Sequence, residues 1–93
     1  MDRHEVQKII ELVLDRALQR IRAKYIGQPV TEKSKNHIVG EIRSLMRGTV
    51  EHLRRQGDIP NRPIDVQVRY SGVSDVSVHV QFSKWFEDWV MGR

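Results

Sequence analysis

Basic side chains recur at helical spacing in two parts of the chain. Side chains four or seven positions apart share one face of a helix, where a row of cations can bind the phosphates of nucleic acid. The candidate phosphate-binding residues are Arg16, Arg20 and Lys24 in the first row, and Arg43, Arg47 and Arg54 in the second. A formal net charge of +4 permits such a partner.

Acidic residues lie among both basic rows. Glu11 and Asp15 interrupt the first row, and Glu41 and Glu51 interrupt the second. No aromatic residue is interleaved with either row, so a stacking platform for single-stranded nucleic acid is not indicated. The pattern favours a solvated helix face with ion pairs, and nucleic-acid binding remains the alternative interpretation.

No set of residues has the spacing of a metal site or a catalytic centre. The four histidines form no zinc-binding pattern, and His37 with Glu41 supplies two ligands at most. The serines fall at turns, at helix starts or on a polar strand face, without a nucleophile motif or a glycine-rich phosphate loop. We therefore expect no catalytic residue, no metal, no cofactor and no small-molecule substrate, and a protein that is not an enzyme.

The C-terminal segment 83–93 holds both tryptophans and one of the two phenylalanines. On a helix, Trp85 lies beside Trp89, and Phe86 lies beside Val90. Tryptophan is enriched at the centres of protein interfaces, so these four side chains are candidate contacts for another protein. They also suit a tail that folds back and closes the core, and the sequence leaves both interpretations open.

Two segments carry apolar residues at helical spacing. They predict long amphipathic helices over residues 3–26 and 32–56. The candidate N-cap residues are Asp2, Thr31 and, for the tail, Ser83. A glycine follows each long helix, and a short linker with proline joins them, so the two helices should pack antiparallel within one domain over residues 1–93.

Two glycines, Gly40 and Gly48, lie inside the second predicted helix. Each costs about 1 kcal/mol relative to alanine in a helix interior. They could let another helix approach closely, and tolerated helix glycines are the other interpretation. A separate hypothesis for the whole chain is an obligate dimer whose helices pair into a four-helix bundle.

After the second helix the apolar period changes from 3.6 residues to two. This alternation predicts strands over residues 64–70 and 76–82, joined by a turn over 71–75. The fold class is therefore α+β: two antiparallel helices, a β-hairpin and a short aromatic C-terminal helix or tail. A lone hairpin is not stable, so it must lie on the helices or join a neighbour's sheet. Its open edges, together with Tyr70 and Phe82, are candidate protein contacts.

The chain contains no cysteine, which excludes a disulfide scaffold and thiolate metal sites. Charged residues begin at position 2 and the apolar runs are short, so we expect neither a signal peptide nor a membrane span. A domain of this length also has a thin core, which oligomerisation or a larger partner often completes.

The junction between the helices adds a resemblance to a known family. The pattern consists of this junction, a second helix ending in Gly57-Asp58-Ile59 and the alternating strands; the junction reads Lys24-Tyr25-Ile26-Gly27-Gln28-Pro29-Val30-Thr31. Over about residues 24–82 the run resembles the C-terminal segment of contractile-phage tail sheath proteins and related small virion proteins. Val30 stands where asparagine is usual, and the large remainder of a sheath subunit is absent, so we do not expect a sheath protein itself.

What the resemblance implies is a small structural component of a phage particle: a neck, baseplate, tail or capsid-associated subunit. Such proteins bind copies of themselves and larger virion proteins through strand addition and exposed apolar tails, in the virion or the host cytoplasm. The leading hypothesis is thus a non-enzymatic assembly protein. The alternative is a nucleic-acid-binding or phage-encoded regulatory or inhibitor module that uses the arginine rows.

Overall fold

The computed structural model describes all residues, 1–93. Two long helices are followed by a two-stranded antiparallel hairpin and a short C-terminal helix, which confirms the predicted α+β class. The elements are α1 (Arg3–Lys24), α2 (Glu32–Arg55), β1 (Val66–Tyr70), β2 (Val78–Phe82) and α3 (Lys84–Val90).

Both long helices begin at their predicted N-caps. The side chain of Asp2 accepts a hydrogen bond of 2.8 Å from the N–H of Glu5. The hydroxyl of Thr31 accepts one of 3.1 Å from the N–H of Ser34. Each cap satisfies a backbone donor that has no partner inside its helix, so the two starts follow from local sequence.

The long helices end one or two residues before the predicted bounds. In the segment after α1, the N–H of Gln28 bonds to the carbonyl of Tyr25, which closes a turn instead of continuing the helix. After α2, Gly57 takes a φ of 78°, and the N–H of Asp58 bonds back to the carbonyl of Leu53. This last pattern is a Schellman motif, for which glycine is the favoured residue.

The hairpin is shorter than predicted at the start of each strand. Its register places Val68 opposite Val80. The N–H groups of Ser71 and Gly72 both bond to the carbonyl of Ser77, so residues 71–77 form the loop in place of the predicted 71–75. These bonds hold the chain in a wide loop, and regular pairing of β2 begins only at residue 78.

Ser83 does not cap α3 with its side chain, contrary to the prediction. Its hydroxyl instead accepts a hydrogen bond of 2.7 Å from the N–H of Asp65. The N–H of Ser83 also bonds to the carbonyl of Asp65 at 3.1 Å. The residue therefore extends the pairing of the hairpin and fixes the point at which the chain leaves β2 for α3.

The core lies between the helices and one face of the hairpin. α2 packs on β1, α1 packs against α2, and α3 packs against α1. The fifteen buried residues are all apolar and form one cluster: Val6, Ile10, Ala17, Leu18, Ile21, Ile38, Ile42, Met46, Val50, Leu53, Ile59, Val66, Val68, Val76 and Phe86. The alternation read from the sequence thus describes which face of each element turns inward.

α3 is held to the rest of the fold by its aromatic side chains. Phe86 is 1% exposed. Trp89 stacks on its ring, with the centroids 5.9 Å apart. The indole N–H of Trp85 donates to the carbonyl of Pro63 at 3.0 Å. The tail therefore folds back on the core, with two tryptophans remaining half-buried at its surface.

Candidate functional site

The two strands of the hairpin are covered unequally by the helices. On β1, the inward-facing Val66 and Val68 are buried. On β2, the inward-facing Val80 and Phe82 are only half-buried. The difference arises because α2 lies on β1, whereas α1 packs on α2 and α3 without closing onto β2.

An apolar groove of about 250 Å³ occupies the space between α1, β2 and α3. Its apolar lining comes from all three helices and from β2: Ile10, Leu14, Met46, Val80, Phe82, Phe86, Val90 and Met91. Three polar residues complete the lining: Gln7, Glu11 and Glu87. A groove with this lining suits apolar side chains far better than a charged or reacting group.

The backbone of β2 has an unpaired edge beside this groove. The bond from the N–H of Ser71 to the carbonyl of Ser77 fixes which cross-strand pairs are hydrogen-bonded. Because bonded and non-bonded pairs alternate, Val78, Val80 and Phe82 point their N–H and C=O groups away from β1. The sheet has no further strand on that side, so the free backbone groups and the groove belong to the same strand.

The rim of the groove carries two carboxylates without a positive partner. Glu11 accepts a hydrogen bond of 3.1 Å from the side-chain amide of Gln7. Neither Glu11 nor Glu87 belongs to an ion pair, and no basic residue lines the groove. The site therefore has negative charge on a chain whose net charge is +4.

The structure brings together half of the residues predicted as a protein interface. Phe82, Phe86 and Val90 line the groove. Of these, Phe86 is a core residue whose ring meets that of Phe82 edge-on, with the centroids 5.5 Å apart. Phe86 therefore offers a partner little surface. The surface that the tail exposes comes from the residues next to Phe86.

The other predicted interface residues lie outside the groove. The hydroxyl of Tyr70 donates to the carbonyl of Asp75 at 3.2 Å, which closes the hairpin loop. Trp85 lies under the guanidinium of Arg62, 4.4 Å from its ring centroid. Trp89 lies under that of Arg3, at 5.3 Å. These three aromatic side chains have partners within the fold.

Each basic row has a member in an ion pair. Arg20 forms an ion pair of 3.2 Å with Glu41, across the junction of α1 and α2. Arg47 and Arg54 border a depression beside the linker before β1. Arg16, Lys24 and Arg47 are exposed, and Arg43 is half-buried.

One carboxyl group has a shifted pKa. Arg54 donates hydrogen bonds of 2.8 and 2.6 Å to the two carboxylate oxygens of Glu51, and Arg55 approaches to 3.3 Å. The hydrogen bond from Arg54 is the main reason that the pKa of Glu51 lies below its ordinary value. Ion pairing of this kind is what the sequence favoured for the second basic row.

No three histidine or acidic side chains are grouped closely enough to hold a metal ion. Neither long helix is apolar enough over a sufficient length to cross a membrane. Comparison of the chain with protein-family models, curated proteins and solved structures found no match.

Sequence reasoning missed most of the groove. Ile10, Leu14 and Val80 were counted only as members of apolar faces, and Glu11 only as an interruption of a basic row. Periodicity shows that a face is apolar but not which neighbour covers it. One signal was available in the sequence. The predicted sheet has only two strands, so it is narrower than the two predicted helices packed side by side and leaves part of the helix layer uncovered.

Proposed function

We propose that this chain is a non-enzymatic assembly module that binds an extended segment of another protein along β2. The observation that carries the proposal is the position of the free backbone edge of β2 directly beside an apolar groove. An added strand would bond to Val78, Val80 and Phe82 and place alternate side chains in the groove. Backbone bonds would supply affinity, and the groove would supply selectivity.

The dimensions of the two layers support an additional strand. Packed helices lie about 8–10 Å apart, whereas neighbouring strands lie about 4.8 Å apart. A pair of helices therefore spans the width of roughly four strands, and the hairpin supplies two. One strand added to β2 would lie beneath Ile10 and Leu14, the α1 residues that line the groove.

The exposed surface of the chain also supports a binding role. The accessible surface is 6374 Å², whereas a compact monomer of this mass exposes about 5,600 Å². The surplus, roughly 800 Å², equals what one partner contributes to an interface of standard size. The elongated shape, 41 × 22 × 18 Å, accounts for this surplus and suits a component of a larger assembly.

The resemblance over residues 24–82 suggests the setting of this role. We place the module in a bacteriophage particle, as a neck, baseplate, tail or capsid-associated component whose partners are larger virion proteins or further copies of this chain. Nucleic-acid binding is supported less well, because Arg20 and Arg54 are in ion pairs.

The test uses a peptide of alternating valine and threonine, N-methylated on one edge so that it cannot stack on itself. Titrated into ¹⁵N-labelled protein, it should shift the amide signals of Val78, Val80 and Phe82 and slow their hydrogen exchange. Val80→Pro removes one outward N–H without breaking the hairpin, so binding should fall at least tenfold.

Val68→Pro is the control for the opposite edge of the sheet. Val68 lies opposite Val80 in the register, and its N–H points to the other edge of the sheet. Far-UV circular dichroism establishes that each variant is folded. Binding that Val80→Pro leaves unchanged, or that moves signals elsewhere than β2, would refute strand addition at this edge.

A further inference from the structure

The groove also contains information about the chemistry of its occupant. Resting on the proposed function, we infer that the occupant is a single extended segment that carries lysine or arginine beside alternating apolar residues. We infer further that it is not the β2 strand of a second copy. The first part rests on the charge of the rim, and the second on the position of α1.

The charge of the rim distinguishes this groove from the rest of the surface. Glu11 lies on the α1 wall and Glu87 on the α3 wall, neither forms an ion pair, and no lysine or arginine lines the groove. Four other surface depressions each include an arginine or a lysine beside their acidic residues, and Glu87 itself also borders the one that holds Lys84 and Arg93. The apolar groove is thus lined by acidic residues without basic ones, which favours a cationic segment.

The position of the carboxylates suits a strand whose polar side chains stay in water. Glu11 and Glu87 are both exposed, at the mouth of the groove and not at its base. A lysine or arginine stem can lie along apolar surface while its charged end remains solvated. The apolar side chains of the segment would enter the groove, and its cations would reach the rim.

The position of α1 opposes antiparallel self-pairing through β2. In an antiparallel β2–β2 pair, two copies would share one sheet with their helices on the same face. Two helices already span the width of about four strands, so the two α1 helices would compete for the same space above the joined strands. A segment that brings no helix over that face meets no such conflict.

The experiment compares two peptides that differ only in charge. Both have the alternating valine–threonine core with one N-methylated edge; one ends in lysine on each side and the other in glutamate. At 50 mM salt the lysine peptide should bind roughly three- to tenfold more tightly. The preference should shrink as salt rises, because exposed pairs are screened.

Variants of the protein test whether the preference for the lysine peptide comes from the two carboxylates at the rim of the groove. Glu11→Gln combined with Glu87→Gln should abolish the preference between the two peptides while still allowing both to bind. Glu5→Gln combined with Glu32→Gln changes the net charge equally, away from the groove, and should retain it. Light scattering at micromolar concentration should give the same mass for the unmodified protein and for Val80→Pro, because no dimer forms through β2.

The outcomes separate the inference from the proposed function. Equal binding of the two peptides, with the β2 amide signals shifted by both, would overturn the charge preference and leave strand addition intact. A dimer that Val80→Pro dissociates would show that a second copy occupies the edge. Failure of both peptides to shift any β2 amide would refute the proposed function itself.

Discussion

The guanidinium of Arg22 donates a hydrogen bond of 2.8 Å from Nε to the carbonyl oxygen of Val76. The two residues are 54 positions apart in the chain. Arg22 lies in the last turn of α1, and Val76 is a buried residue just before β2. The bond therefore joins α1, which borders the groove on one side, to the loop before β2, which borders the groove on the other side.

Arg22→Ala should lower the free energy of unfolding by about 1–2 kcal/mol. A partly buried carbonyl would lose a charged donor, and such bonds contribute more than neutral ones. Arg16→Ala is the control, because Arg16 is exposed on the same helix and is in no ion pair; its effect should stay within about 0.5 kcal/mol. Urea denaturation followed by circular dichroism measures both, and equal losses would mean that the bond contributes nothing specific.

Alanine should have opposite effects at different glycines. At Gly72 a Cβ would collide with the carbonyl oxygen of Asp75, so Gly72→Ala should destabilise the hairpin loop. At Gly40 and Gly48 a Cβ would meet no neighbouring atom, so each alanine there should stabilise the protein by about 1 kcal/mol. Thermal unfolding measures all three. A loss of oligomer mass in Gly48→Ala would instead support the close approach of another helix.

Phe86→Ala should be the most damaging change in the tail, at about 3–5 kcal/mol. That is a large part of the 5–15 kcal/mol that holds a typical domain together. Trp89→Ala should cost less, because Trp89 is half-buried and its ring covers Phe86 from one side. Guanidinium denaturation of both variants gives the order. A larger loss of stability for Trp89→Ala would mean that the half-buried Trp89, and not the buried Phe86, contributes most to holding the tail on the core.

The ion pairs of Glu51 should make a pH-dependent contribution. Because its pKa is lowered in the folded state, the contribution is complete above the unfolded-state pKa and is lost as pH falls through the folded-state value. An NMR titration of the Glu51 carboxyl carbon should give a midpoint below that of a glutamate in an unstructured peptide. Arg54→Ala should raise the midpoint, and no change in that variant would contradict the assignment to Arg54.

The elements were predictable from the sequence, but the arrangement of their neighbours was not. Asp2 and Thr31 cap the helices because capping depends on atoms three residues apart. Serine is also favoured at N-caps, but the hydroxyl of Ser83 bonds to the N–H of Asp65, eighteen positions away. Local preference gave way there to the pairing of the hairpin.

The tail shows the same limit. The spacing of Trp85, Phe86 and Trp89 predicted a helix with aromatic side chains, and α3 contains them. It did not indicate that the smaller Phe86 would enter the core and that both tryptophans would stay half-buried. That choice depends on the backbone carbonyl of Pro63 and the guanidinium of Arg3, which reach the tail only after folding.

The unequal cover of the hairpin has a thermodynamic consequence. A strand that binds only the folded chain stabilises it by mass action, by about 2.7 kcal/mol when the strand is present at a hundredfold excess over its dissociation constant. Half-buried Val80 and Phe82 would then become interior residues. Under the proposed strand addition, the lifetime of this protein would thus rise with the supply of the added strand, and unbound copies would be the first to unfold and be degraded.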